Sequence, residues 1–307
     1  MEINLSSSAL GHSNCILDLY RTVVQGYKTK AMPAKMIYGI GVHKYIEIMY
    51  LTGGHIPTAR EQAIIAFASI PRIDDSKSMQ LSDVNHMTAV ALMTWELFVK
   101  QEVDFEVLIL NDKPAVEQTF SEEIYRDEDN VFNWCGTIDR IGKNRNGIWL
   151  ITDWKTTSSW NAKDHLSQYE LKNSPRGYML GLKLFAEKHP DSILGQISRQ
   201  QIGARFDGIY VKPKINEVRF QSSDVFVYQP EEIDEFKEGV IKVCKDLSLA
   251  IKNNQFPKQG IVNGSCNKKY GKCDFWYVCK HNNPLIMDGL LKRDFDVKQF
   301  NPMHYND

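Results

Sequence analysis

Two aspartates and a lysine in neighbouring β-rich segments are the residues of this sequence best suited to metal-dependent hydrolysis. Asp139 lies in an aromatic and β-branched segment, and Asp153 and Lys155 lie in the next one. Because side chains alternate along a strand, Asp153 and Lys155 point to the same face. Two facing carboxylates repel each other unless a divalent cation lies between them, and oxygen ligands suit Mg²⁺ or Mn²⁺. A neighbouring ammonium group can hold or deprotonate a water molecule near such a metal.

The turn between the two segments determines whether the aspartates meet. Residues 143–147 end in Asn-Gly, which is a strong signal for a tight hairpin when it lies between two β-rich runs. A hairpin of this length brings Asp139 level with Asp153. The alternative interpretation is a surface hairpin with solvated charges. The succession of Gly136-x-x-Asp139, the Asn-Gly turn and Asp153-x-Lys155 favours a metal site.

In this order the motifs resemble the RecB-like branch of the PD-(D/E)xK nuclease superfamily. The resemblance implies that Asp139 and Asp153 bind a divalent metal and that Lys155 assists the attacking water. It further implies that the backbone carbonyl of Trp154 adds a metal ligand. Glu117, at the start of the preceding predicted strand, would support the metal shell. The alternative for this residue is an ordinary exposed glutamate on a strand.

Two helical residues match further positions of the same family. Apolar spacing predicts a helix over 33–51, and a Gly-x-x-x-His motif that ends at His43 lies within it. The resemblance makes His43 a metal ligand, although a lone histidine on an apolar helix is more often a packing or surface residue. On the helix predicted after the second strand, Tyr178 matches the family's tyrosine and would contact the DNA backbone or Lys155. Ser174 stands where the family has glutamine.

Four of the six cysteines form a second pattern. Cys266, Cys273 and Cys279 lie in one short polar and aromatic stretch, and Cys15 lies near the beginning of the sequence. Three thiolates are one short of a four-thiolate site, which Cys15 could complete. Disulfides are rare inside cells, so a metal or an iron–sulfur cluster is the preferred interpretation. Four thiolates suit Zn²⁺ as well as a [4Fe-4S] cluster.

One cysteine before the nuclease core and three after it resemble the iron–sulfur type of RecB-like nucleases. That type includes AddB-type nuclease domains and CRISPR-adaptation exonucleases. The resemblance implies a [4Fe-4S] cluster held by Cys15, Cys266, Cys273 and Cys279, with Zn²⁺ as the alternative occupant. The cluster would connect the first helix to the C-terminal segment. Lysines and aromatic residues of that segment would then suit single-stranded DNA at one end of a substrate channel.

The resemblance also implies how the elements that carry these residues are arranged. We expect an α/β fold with a restriction-endonuclease-like core, in which helices flank a mixed sheet of about five strands. An N-terminal helical region over 1–104, the nuclease core over 105–255 and the cysteine segment over 256–307 would form one integrated domain. A length of 307 residues with 43% apolar composition is sufficient for a large core.

Charge and hydropathy narrow the function classes. The formal net charge of -1 argues against a protein that coats nucleic acid through bulk charge, so DNA contacts must be local. The sequence has no run of 18 apolar residues and no secretory signal pattern at its start, which indicates no membrane insertion and a cytoplasmic location.

Together these features predict a metal-dependent DNA exonuclease. Its substrate would be single-stranded DNA or DNA with free ends, and it would act in recombination, repair or CRISPR adaptation with proteins of those pathways. One alternative is a scaffold subunit that binds DNA ends and cleaves little by itself. Another is a small zinc-stabilised hydrolase that acts on a different phosphodiester.

Overall fold

The fold is that of a computed structural model, in which helices alternate with the strands of a central sheet. Within the described residues, no helix combines the length and the apolar character needed to cross a lipid bilayer. The structure describes residues 1–30, Met32, and residues 34–70, 81–101, 105–157, 166–212, 215–268 and 271–299.

Capping signals explain where the helices begin. The longest helix starts with Pro230 at its first position, and Gln229 and Glu232 form a reciprocal capping box there. The helix predicted over 33–51 is confirmed. The α-helices of the described residues are α1 (Ile16–Leu19), α2 (Ala34–Leu51), α3 (Ile56–Ala68), α4 (Leu81–Gln101), α5 (Asn173–Lys188), α6 (Ile193–Ser198), α7 (Pro230–Lys252), α8 (Gln259–Asn263), α9 (Trp276–Cys279) and α10 (Pro284–Asp294).

Strands occupy the segments that are rich in β-branched and aromatic residues. The strands over 131–144 and 149–157 are joined by the predicted turn, in which Gly147 has a φ of +76°. The strands are β1 (Glu2–Leu5), β2 (Tyr27–Thr29), β3 (Phe105–Val107), β4 (Ile109–Leu110), β5 (Lys113–Pro114), β6 (Val116–Arg126), β7 (Val131–Asn144), β8 (Trp149–Thr157), β9 (Ile202–Lys212), β10 (Ile215–Ser222), β11 (Phe226–Val227), β12 (Asn267–Lys268), β13 (Gly271–Lys272) and β14 (Phe295–Val297).

Eight of these strands form one mixed sheet. Its main path runs β1-β7-β8-β9-β10, while β6 and β3 pair with β7 and β11 pairs with β9. The β1–β7 and β8–β9 pairs are parallel and the remaining pairs are antiparallel. The predicted α/β, restriction-endonuclease-like class with a mixed sheet is therefore confirmed. The sheet has eight strands where about five were expected, and the strand predicted around Glu117 is β6.

Helices cover both faces of the sheet. One apolar core combines α5 and α7 with sheet residues such as Ile151 and Phe206. A second core combines α2, α3 and α4 with Trp154 and Ile209, which lie on the opposite face. Because Asp153 and Trp154 are neighbours that point in opposite directions, β8 contacts both helical layers at the same level.

A glycine pair explains how α5 packs closely against the sheet. The ring of Phe120 lies between Gly136 of β7 and Gly181 of α5. A Cβ atom at Gly136 would lie 2.6 Å from the ring, and one at Gly181 would lie 2.4 Å from it. The glycine of the Gly-x-x-Asp motif is thus required by packing, and this packing brings Tyr178 of α5 to the sheet.

The N-terminal and C-terminal segments pack together. β14 pairs antiparallel with β2, and the rings of Phe275 and Phe295 stack with centroids 4.6 Å apart. The Ile16 N–H donates to Gln259 Oε1 at 3.1 Å, which ties α1 to α8. The division into three regions stays a prediction.

Candidate active site

The hairpin of β7 and β8 changes its pairing at the level of the two aspartates. The last ladder partners are Arg140 and Thr152, so the next step places Asp139 level with Asp153. There the Trp154 N–H donates to the Asp139 side chain, at 2.8 Å from Oδ2. A carboxylate therefore takes the place of a backbone acceptor between the two strands.

Asp139 belongs to a group of three residues with metal-binding side chains. One ligand atom from each of His43, Glu117 and Asp139 lies within 4.8 Å of the others, and His43 Nδ1 is 3.5 Å from Asp139 Oδ2. Glu117 lies level with Asp139 because its neighbours in β6 pair with the neighbours of Asp139 in β7. The group combines two carboxylates and an imidazole, and all three residues are half-buried.

The backbone of Glu117 is strained. Its φ of +48° lies in the left-handed region, which is uncommon for residues other than glycine and costs about 1–3 kcal/mol. Such a conformation persists only where its surroundings impose it. The strain therefore marks Glu117 as a residue whose side-chain direction is fixed by the fold.

A close approach of α2 to β8 places His43. A Cβ atom at Gly39 would lie 2.8 Å from Thr156 Oγ1, so glycine allows the helix to come this near. His43 follows one turn later on the same face. Glu47 follows after another turn and forms an ion pair with Lys44 at 2.9 Å. Glu47 was not anticipated as a site residue, although its four-residue spacing from His43 indicates a shared helix face.

Asp153 lies beside this group of three. Its carboxylate oxygens accept hydrogen bonds from Lys155 Nζ at 2.5 and 2.6 Å and from Tyr178 Oη at 3.1 Å. The predicted shared face of Asp153 and Lys155 is consistent with this contact. The hydroxyl of Tyr178 donates to Asp153 because α5 crosses the sheet at that strand, and its contact with DNA or Lys155 stays a prediction.

Two carboxyl groups of the site, those of Asp139 and Glu117, resist ionisation. Burial raises the pKa of Asp139 well above its ordinary value, and the charges of Asp153 and Glu117 add to this effect. Burial and the neighbouring Glu47 raise the pKa of Glu117 to about 7. A cation would relieve this repulsion and favour the ionised carboxylates.

The pKa values of His43 and Lys155 are shifted in opposite directions. Burial lowers the pKa of His43 to about 4, and the charge of Lys155 adds to the lowering, so the imidazole is neutral at physiological pH. Neutral imidazole is the form that binds metals. Burial alone would lower the pKa of Lys155, but the charges of Asp153 and Asp139 outweigh it and raise this pKa. Lys155 therefore stays an ammonium while Asp153 is its partner.

The donor set fits a hard divalent cation. Carboxylate oxygens and one neutral imidazole suit Mn²⁺, and the carboxylates suit Mg²⁺. The backbone of Trp154 hydrogen-bonds to His43, so it also belongs to the surroundings of the site.

Arg140 of β7 connects its strand to β8 and β9 next to the site. Its guanidinium is fully buried and donates to Thr152 Oγ1 at 2.8 Å, Asp207 Oδ2 at 2.8 Å and Tyr50 Oη at 2.6 Å. Arg205 also pairs with Asp207, at 2.9 Å. These contacts join three strands and α2. These contacts were not anticipated, because an arginine in a strand usually marks a solvent-exposed face.

The four cysteines of the predicted cluster site line one cavity. Cys15 comes from the start of α1, and Cys266, Cys273 and Cys279 come from the C-terminal segment. All four are free thiols. Burial raises the pKa of Cys266, and the nearby Cys15 and Cys279 add to this effect.

Charged groups surround the cavity. Arg21 is buried, and its guanidinium donates to Cys279 Sγ at 3.3 Å. Asp18 also lines the cavity, and Cys273 Sγ donates to its Oδ2 at 3.6 Å. Neither residue was anticipated from the sequence.

Comparisons with known proteins identify the family. Residues 6–280 match the family model described as the PD-(D/E)XK nuclease superfamily. No curated protein matches the chain. Among solved structures, the one described as "Crystal structure of SSO0001" is similar at 13% identity over 72% of this chain and 77% of that chain, with a TM-score of 0.28. Because the family model spans most of the sequence, the chain belongs to the PD-(D/E)XK nuclease superfamily.

Proposed function

We propose that this protein is a metal-dependent DNA exonuclease of the RecB-like branch. The observation that carries the proposal is the group of His43, Glu117 and Asp139 beside the Asp153–Lys155 pair. Membership of the superfamily implies a metal-dependent nuclease. Exonuclease action on single strands or free ends, a cytoplasmic location and a role in recombination, repair or CRISPR adaptation belong to the proposal.

The metal would be Mg²⁺ or Mn²⁺, and the half-buried group of three residues would hold it. Asp153 and the Trp154 carbonyl would add ligands once the Asp153 carboxylate turns from Lys155 toward the metal. When bound, the ion would neutralise charge on the phosphate oxygens and make a water molecule more acidic.

Lys155 would act on the attacking water. While it is paired with Asp153, its pKa is raised and the ammonium can only donate hydrogen bonds. If Asp153 turned to the metal, the strongest charge that raises this pKa would be withdrawn. Lys155 could then release a proton to solvent, orient the water and accept a proton from it. Tyr178 would keep Asp153 in place through its hydroxyl.

At the cysteine cavity we propose a [4Fe-4S] cluster held by Cys15, Cys266, Cys273 and Cys279. Among the described residues, the cysteines supply no set of three sulfur atoms within 4.8 Å of one another. A tetrahedral zinc site with Zn–S bonds of ~2.3 Å needs sulfurs only ~3.8 Å apart. The wider spacing and the shared cavity support the larger group, with Zn²⁺ as the alternative.

Cleavage of end-labelled DNA by Asp153→Ala protein tests the proposed activity. The protein is purified without oxygen and incubated with Mn²⁺ and single-stranded DNA labelled at either end. We expect wild-type protein to release short labelled products and the variant to release none. Asp224→Ala, which changes an exposed carboxylate, is the matched control and should cleave like wild type.

The outcomes separate the candidate functions. Full activity of Asp153→Ala protein would contradict the proposed mechanism. Wild-type protein that binds DNA ends without cleaving them would favour the scaffold subunit. Binding of Mn²⁺ without any competition by DNA would favour the hydrolase of another phosphodiester.

A further inference from the structure

Two hydrogen-bond donors line the cysteine cavity without an acceptor. Trp276 Nε1 and Ser265 Oγ are buried, and neither atom has a hydrogen-bond partner within the part of the chain that the structure describes. Both residues line the same cavity as the four cysteines. Buried polar atoms are normally satisfied, so two orphaned donors at one cavity indicate an acceptor that occupies it.

The lining of the cavity indicates what that acceptor is. Besides the cysteines, α8 approaches so closely that a Cβ atom at Gly260 would lie 2.9 Å from both Cys266 Sγ and Ser265 Oγ. The hydroxyl of Ser265 and the sulfur of Cys266 therefore lie on the same side of Gly260. Thiolates and inorganic sulfides carry negative charge and accept hydrogen bonds from N–H and O–H groups, and such bonds tune iron–sulfur clusters.

Positive charge strengthens the donor on the tryptophan side. Lys272 Nζ lies 5.0 Å and Lys280 Nζ lies 5.9 Å from the centroid of the Trp276 ring. Ammonium groups over an indole face draw electron density from the ring. Arg21, which donates to Cys279 Sγ, and Lys258, which lines the cavity, add positive charge near the four sulfur atoms.

We propose that Trp276 and Ser265 donate hydrogen bonds to sulfur atoms of the bound [4Fe-4S] cluster and thereby raise its reduction potential. This inference rests on the cluster assigned above to the four cysteines. Reduction adds one electron to the cluster and makes it more negative. Donors aimed at its sulfurs stabilise the reduced form more than the oxidised form, so their removal lowers the potential.

The test compares reduction potentials of intact, cluster-loaded variants. Trp276→Phe removes the N–H group and keeps an aromatic ring, and Ser265→Ala removes the hydroxyl. Trp149→Phe is the matched control, because Trp149 Nε1 donates to Gln200 and Lys143 lies 4.4 Å from the ring centroid, outside the cavity. Each protein is purified without oxygen, its iron and zinc are counted, and it is titrated with dithionite while the visible and electron paramagnetic resonance spectra are recorded.

We expect iron in wild-type protein, in the three single variants and in the double variant Trp276→Phe with Ser265→Ala. The midpoint potential should be lower in Trp276→Phe and in Ser265→Ala, lower still in the double variant, and unchanged in Trp149→Phe. Variants with full iron and the wild-type potential would overturn this inference and leave the cluster assignment intact. If Trp276→Phe loses iron, the midpoint potential of Ser265→Ala alone tests the inference. Wild-type protein that contains zinc and no iron would overturn both the cluster and this inference, whereas the nuclease proposal is tested separately by Asp153→Ala.

Discussion

Glu117 is a residue whose charge opposes folding and, in our proposal, serves metal binding. Its pKa is raised from 4.5 to about 7 in the folded protein. Below pH 4.5 the carboxyl is neutral in both the folded and unfolded states, so it carries no penalty. Between pH 4.5 and 7 it ionises only on unfolding, and the penalty to the folded state grows until it is complete above pH 7.

Glu117→Gln should therefore stabilise the metal-free protein at alkaline pH. We expect the free energy of unfolding to rise by about 1–3 kcal/mol at pH 8 and to change little at pH 4.5. Urea denaturation in the presence of a chelator measures both values. With Mn²⁺ added, wild-type protein should become more stable than Glu117→Gln, because only wild-type protein gains the full stabilisation by the ion. Destabilisation of the metal-free variant at pH 8 would contradict this account.

The same raised pKa values predict that metal binding releases protons. At pH 6 the carboxyl of Glu117 is mostly protonated, and burial shifts the neighbouring Asp139 toward its protonated form. A cation must displace these protons, so Mn²⁺ affinity should increase as the pH rises toward about 7. Calorimetric titration at pH 6, 7 and 8 in two buffers of different protonation enthalpy counts the protons. An affinity that is independent of pH would rule out these groups as ligands.

At the scale of the elements, a buried ion pair holds the sheet in register behind the site. Arg140 of β7 pairs with Asp207 of β9 at 2.8 Å, and both side chains are fully buried. If Arg140 is replaced by methionine, the buried charge of Asp207 keeps Arg205 as its ionic partner among the described residues and loses the other. We expect a loss of about 3–5 kcal/mol in the free energy of unfolding, measured by urea denaturation.

An exposed pair on the neighbouring strand provides the control. Arg126 pairs with Glu123 on β6, and both side chains are largely exposed. Arg126→Met should therefore change stability by no more than about 1 kcal/mol. In the double variant Arg140→Met with Asp207→Asn, part of the loss should be recovered because no buried charge remains uncompensated. Equal effects of the two single arginine variants would contradict a special role for the buried pair.

At the scale of the whole molecule, features set by short segments of sequence were predicted better than features set by long-range packing. The alternation of one strand and the length of one turn were enough to place Asp139 level with Asp153. The hairpin prediction succeeded because strand period and turn geometry are properties of short segments. Cys15 was joined to the C-terminal cysteines by the resemblance to a known family, and all four line one cavity.

Other features depend on contacts that no short segment contains. The left-handed backbone of Glu117 is imposed by neighbouring strands, and the burial of Arg140 depends on partners from β9 and α2. The hydroxyl of Tyr178 donates to Asp153 only because α5 packs on the sheet through glycine contacts. Tertiary packing therefore decided the details of the site.

The cysteine cavity predicts how the two ends of the chain depend on each other. α1 and the C-terminal segment meet at this cavity, and a bound cluster would close a loop that contains nearly the whole chain. Closure of such a long loop removes entropy from the unfolded chain, and a cluster that binds only the folded state stabilises it further. Cys279→Ala should therefore lose iron and expose the segment after α7 to proteases, while the sheet and its proposed Mn²⁺ site persist.

Limited proteolysis and iron analysis of the anaerobically purified variant check this prediction. We expect early cleavage between α7 and α10, a protected fragment that contains β6 to β9, and a lower unfolding temperature. Cys135→Ala is the control, because Cys135 is buried in β7 and its Sγ lies 3.2 Å from Ser121 Oγ, outside the cavity. That variant should keep its iron and its protection. Unchanged protection of Cys279→Ala after loss of iron would show that packing alone, through β2, β14 and the stacked rings of Phe275 and Phe295, holds the ends together.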